Sequence, residues 1–154
     1  MVTRVFSQQP DLVAALPKLL AHARRFFAIE LDVLSASASE RPDPADAVVS
    51  VQLESARYPG RGRFRIESRR TTNADRQAAA DAEVRGKAGG MSLLAARCPA
   101  LWIITPVGDV SGSAELQLSA LLASVALGPV LPRDGSTLYG VRGAMERAEA
   151  SANS

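Results

Sequence analysis

Apolar residues repeat at three- and four-residue spacing through Leu12, Leu16, Leu19, Leu20, Ala23, Phe27, Leu31 and Leu34. That spacing predicts an amphipathic helix. Pro10-Asp11 suits its first turn, and Pro17 disfavours helix at Leu16. The expectation is a short turn at 11–16 and a main helix at 17–34, or one kinked helix. Phe26, Ile29 and Val33 widen the apolar surface beyond one stripe, which points either to packing on both sides or to an interface with a partner. Met1 to Gln9 reads as an edge strand through Val2, Val5 and Phe6, or as disordered chain. Residues 35–46, with two prolines and little apolar bulk, read as a mobile connection.

The pattern then changes to period two. Val49, Val51 and Leu53 alternate with Ser50, Gln52 and Glu54, and Phe64 and Ile66 alternate with Arg63, Arg65, Glu67 and Arg69. Residues 58–62 read as the turn of an antiparallel hairpin. Pairing Leu53 with Phe64 and Val51 with Ile66 keeps one face apolar. It sets Glu54 opposite Arg63, Gln52 opposite Arg65 and Ser50 opposite Glu67. Thr72 to Asp75 has capping-box spacing and should start a helix, with Gly86, Gly89 and Gly90 breaking it before a second piece through Met91, Leu94 and Ala95.

Residues 100–107 (ALWIITPV) form the only run that is apolar, β-branched and aromatic with no charge. Bounded by Pro99 and Gly108-Asp109, it reads as a strand buried on both faces. Ser113 should cap a helix that Gly128-Pro129 stops. Residues 136–140 read as a short strand and 141–150 as a helix, with 151–154 a frayed tail. The fold class expected is α/β or α+β: a single domain over 1–154, built on one sheet of about four strands with an antiparallel hairpin, covered by helices.

Composition narrows this picture little. The chain has 154 residues, 47% hydrophobic, with a net charge of +2. Residues 57–76 carry seven arginines against Glu67 and Asp75, a net +5, leaving −3 elsewhere. Only Lys18 and Lys87 are lysine, a bias expected of a GC-rich bacterial genome. The single Cys98 and single His22 exclude an internal disulfide and a multi-histidine or Cys-rich metal site. No signal peptide or apolar run of ~20 residues is read, so a cytoplasmic location is expected. His22 reads as a boundary residue and Cys98 as a buried thiol. Gly108 to Gly112 lacks the spacing of a serine elbow.

The order helix, hairpin, helix, strand over residues 17–107 resembles the core of restriction-endonuclease-like nucleases, and Glu67-Ser68-Arg69 resembles their D/E-x-K motif. Arg69 stands where that motif has lysine, and a guanidinium does not give up a proton to act as base. In the register above, Asp46 and Glu54 each lie four residues from Ser50, the partner of Glu67. At ~13 Å they are too far to share a magnesium ion with it. The helix–hairpin–helix start also resembles roadblock-type dimerisation modules, but Leu116 to Leu127 reads as helix where those have strands.

The expected function is a non-catalytic interaction or accessory module. Its partner, another protein or a second copy, would be bound through Phe26, Ile29 and Val33 or through the hairpin face. The alternative is a nucleic-acid-binding or degenerate nuclease-like domain using Arg57, Arg61, Arg63, Arg65 and Arg69 as anion-binding residues. Neither catalytic residues nor a metal or cofactor are expected.

Overall fold

The computed structural model describes residues 2–38, 46–87 and 89–152, with the side chain of Ala38 outside that set. In chain order the elements are β1 (Thr3–Ser7), α1 (Leu12–His22), a π-helical turn (Ala23–Phe27), β2 (Ile29–Ala38), β3 (Ala47–Ser55) and β4 (Gly60–Arg70). They continue with α2 (Asn73–Gly86), α3 (Met91–Ala96), β5 (Ala100–Gly112), α4 (Ala114–Ala126), β6 (Val130–Leu131) and α5 (Val141–Ala152). The class is mixed α/β, as expected, but the one antiparallel sheet has six strands rather than about four, in the order β2-β3-β4-β5-β1-β6.

The strands not firmly expected are β1, β2 and β6, while the strand expected at 136–140 is reduced to a single bridge between Tyr139 and Val130. Residues 3–7 are interior, paired with β5 on one side and β6 on the other, so the edge-strand reading is corrected. Val5 and Phe6 are both fully buried, on opposite faces. The expected helix over 17–34 is also corrected. It ends in the π-turn, where Ala28 takes a left-handed conformation (φ 51°), and residues 29–38 form β2. Leu31 and Leu34 match helical spacing, yet Ile29, Leu31 and Val33 alternate with Glu30 and Asp32 and pair with β3. Tertiary pairing decides between the two periods. Residues 35–38 of the expected mobile connection belong to this strand, and 39–45 lie outside the described residues. Of the expected frayed tail, Ser151 and Ala152 belong to α5, while 153–154 lie outside.

The β3–β4 hairpin forms, but its register differs by two residues from the expected one. Val51 pairs with Phe64, Val49 with Ile66, Leu53 with Gly62 and Glu54 with Arg61. A slip of two leaves every side chain on the same face, so hydrophobic alternation cannot distinguish the registers. Gly60 and Gly62 decide it by lying in the strand rather than the turn. A Cβ on Gly60 would come within 2.8 Å of the Ala114 backbone, so glycine lets the α4 terminus approach.

Strand β5 is interior and Trp102 is fully buried, but the expected burial on both faces holds only at Ala100–Trp102: Ile103, Thr105 and Pro106 are half-buried and Val107 is 49% exposed. The expected turn at Gly108-Asp109 is absent. With Gly108 and Gly112 at φ 68° and 61°, the strand passes an irregularity in its pairing with β4 and continues to Gly112.

On one face of the sheet, α1, α4 and α5 cover Val5, Val49, Val51, Leu53, Phe64, Ile66, Trp102 and Ile104. Helix α4 is buried nearly all round, including Leu118, Leu121 and Leu122, as befits a helix with neighbours on several sides. Its buried Gln117 accepts from Ser55 Oγ (2.5 Å) and donates to Ser113 Oγ (2.9 Å) and the Tyr58 carbonyl (3.3 Å), tying the helix to the hairpin turn. On the other face α2 and α3 contribute Ala79, Ala82 and Ala95 over Phe6, Leu101 and Leu131. The outward positions of β2, β3 and β4 carry mostly polar or charged residues that are exposed or half-buried.

The Thr72 capping box is present, and α2 ends at Gly86 before α3 begins at Met91, as expected. Asp75 does more than cap. Its carboxylate accepts two hydrogen bonds from Arg69 (2.6 and 3.0 Å) as well as the Thr72 N–H (2.8 Å), and lies 3.6 Å from Arg4. One 3%-exposed carboxylate thereby joins α2 to β4 and β1.

Candidate functional site

Strand β2 is the last strand on its side of the sheet, and its outer edge is unpaired among the described residues. The Ala56 N–H donates to the Ala28 carbonyl at 3.0 Å. Hydrogen-bonded pairs alternate along an antiparallel ladder. The backbone groups of Ala28, Glu30 and Asp32 therefore face β3, and those of Ile29, Leu31 and Val33 face outward. Beside this edge runs a groove of about 780 Å³, lined by Leu20, Ala21 and Arg24 of the α1 side and by residues 28–32 and Ala56.

The three residues expected to bind a partner are placed differently from one another. Phe26 lies on the π-turn and is 56% exposed. It stacks edge-on with His22, and Arg25 lies over its ring. Val33 is half-buried on β2, and Ile29 is in the core at 3% exposure. They do not form one helical stripe, because the chain changes from helix to strand between Phe27 and Ile29. We expect Phe26→Glu to leave the protein folded and Ile29→Glu to destabilise it by several kcal/mol through an unpaired buried charge. Urea titration of both variants checks this, and equal loss in the two would contradict these placements.

The anion-binding candidates fall into three groups. Arg61, Arg63 and Arg65 form a column on the open sheet face at successive two-residue steps, about 7 Å apart. Arg65 pairs with Glu67 at 2.5 Å, whereas Arg61 and Arg63 make no ion pair among the described residues. Arg57 lies in the turn with its guanidinium over the Tyr58 ring. Arg69 is held by Asp75, whose hydrogen bonds raise the guanidinium pKa further.

The corrected register also moves the acids. Glu67 is opposite Val48 rather than Ser50. Asp46 is thus two residues along rather than four, about 7 Å at strand rise, and the ~13 Å separation is overturned. Asp46, Glu67 and Arg69 line one shallow hollow of about 330 Å³ with Ser37 and Val48. Glu67 faces the Arg65 guanidinium there, and Arg69 is engaged by Asp75. Among the described residues no group of three or more histidine, cysteine or acidic side chains is placed to hold a metal ion.

His22 lies on the α1–α4 boundary, its Nδ1 3.1 Å from Ser124 Oγ. Cys98 is fully buried, and burial pushes its thiol up to about 11, away from nucleophilic use. No helix among the described residues is long and apolar enough to cross a membrane. The open β2 edge was not anticipated, although the alternation from Ile29 to Val33 carried its signal. No protein-family model matches this sequence, and neither the curated proteins nor the solved structures yield a significant match.

Proposed function

We propose that this domain is a non-catalytic interaction module that binds another protein along its α1–β2 side. The observation that carries the reading is the unpaired β2 edge beside the Leu20–Arg24 groove, with the exposed Phe26 ring close in sequence. An edge strand offers main-chain donors and acceptors, and an adjacent groove offers side-chain selectivity. The expected setting is a bacterial cytoplasm, on the lysine-poor, arginine-rich composition and the single buried thiol. Peptides selected from an unbiased library should shift NMR resonances of residues 20–33 and bind at least tenfold more weakly to Phe26→Glu. Shifts confined to other surfaces would sink the reading. Light scattering decides whether the partner is a second copy.

A second reading rests on Arg61 and Arg63, which make no ion pair among the described residues on the open face. Two or three phosphate contacts give weak, non-specific attraction that salt removes. DNA or RNA retention is expected only in low salt, lost near physiological ionic strength, and abolished by Arg61→Glu/Arg63→Glu. Retention that survives 150 mM salt would move the function to this face. No magnesium-dependent cleavage is expected, because Arg69 is a poor base and is occupied by Asp75. Cleavage abolished by Glu67→Gln would overturn the non-catalytic assignment.

A further inference from the structure

The geometry points to a specific mode and partner chemistry for the α1–β2 side: a partner segment added as a further strand to β2, with apolar and basic residues alternating. This rests on the interaction reading above and deepens it.

The main-chain groups come first. Ile29, Leu31 and Val33 present their backbone N–H and C=O groups away from β3, at the unpaired end of the sheet. An incoming strand that used them would place its side chains alternately on the two faces of the sheet. On the α1 face those side chains would enter the groove beside Leu20, Ala21 and Leu31. That face selects apolar residues of moderate size.

The opposite face carries the charge argument. Glu30 is the direct cross-strand partner of Glu54, and Asp32 is the next outward residue on the same strand. Like charges directly opposite are unfavourable. Arg61 is the cross-strand partner of Glu54 on the other side, yet none of these three carboxylates makes an ion pair among the described residues. A strand lying against β2 would set its outward side chains ~5 Å from Glu30 and Asp32. Lysine or arginine at those positions would relieve the Glu30–Glu54 opposition.

The same charges argue against a second copy of β2. Antiparallel pairing of β2 with itself centred on Glu30, Leu31 or Asp32 sets carboxylate opposite carboxylate. Centring it further along runs into the irregularity in β2 after Val33, where pairing with β3 shifts register.

The probe is a capped nine-residue peptide alternating valine and lysine, with the same peptide in valine and glutamate as control. The lysine peptide should shift the amide resonances of Ile29, Leu31 and Val33 and bind at least tenfold more tightly than the glutamate peptide. Methylating its backbone nitrogens singly should abolish binding at every second position only. Glu30→Lys/Asp32→Lys, at two exposed sites, should reverse the preference between the peptides. If neither peptide binds, or both bind equally, the acids and the irregularity merely protect a bare edge from pairing and the inference falls. Binding that maps to the groove without a two-residue methylation period would remove strand addition while leaving the interaction surface intact. Library-selected peptides that map elsewhere would remove that surface itself.

Discussion

Trp102→Ala is expected to destabilise the fold by about 3–5 kcal/mol, the range for truncating a large buried aromatic. Trp102 is fully buried on an interior strand, between Val5 on β1 and Ser68 on β4. For a chain of this size such a loss lowers the melting temperature by roughly 10 °C. The indole Nε1 and Ser68 Oγ have no hydrogen-bond partner among the described residues. An unpaired buried N–H carries its own penalty, so Trp102→Phe should cost distinctly less than the volume removed suggests. Chemical denaturation measures both. Native tryptophan emission at the wavelength of hydrated indole, or an alanine variant as stable as the parent, would contradict this placement.

Asp75→Ala should be comparably severe, at about 3 kcal/mol, because it removes the carboxylate half of the capping box, which accepts from the Thr72 N–H, and leaves Arg69 without its buried acceptor. The same carboxylate makes stability depend on pH. Burial by itself would raise its pKa. The Arg69 hydrogen bonds and those from the Thr72 N–H and hydroxyl outweigh burial and hold it at about 2. The unfolded value is about 3.9. A group whose pKa is depressed on folding stabilises fully above its unfolded pKa and loses that contribution as pH falls through the folded one. The contribution, on the order of 2 kcal/mol, should be intact at pH 6 and fade between about pH 4.5 and 2. Comparing parent and Asp75→Asn across that window separates this group from the other acids. A stability difference that does not change with pH would show that Asp75 is not held ionised by Arg69.

These two residues were legible to different degrees. Trp102 could be placed from sequence because the Ala100–Trp102 part of an uncharged apolar run is covered on both faces, although the same run is half-buried or exposed from Thr105 to Val107. Asp75 could be read as a helix cap, since capping is local. Its pairing with Arg4 and Arg69 could not, because three elements distant in sequence must first converge. For that reason the residues alone place Arg69 with Arg57, Arg61, Arg63 and Arg65 as one group of hairpin arginines.

The candidate binding surface shows the same division. The sequence by itself determined the α1 start, the hairpin and its apolar face, the α2 cap, the interior strand and the existence of α4, since each depends on short-range periodicity or on a turn residue. Tertiary structure decided the hairpin register, because slips of two preserve the pattern and the close approaches at Gly60 and Gly62 break the tie. It decided that residues 29–38 are strand, because helical and alternating spacings coexist there and pairing with β3 selects one. It also decided which backbone groups of β2 face away from β3, since hydrogen-bond polarity along a ladder depends on the neighbouring strand and not on the residues that carry it.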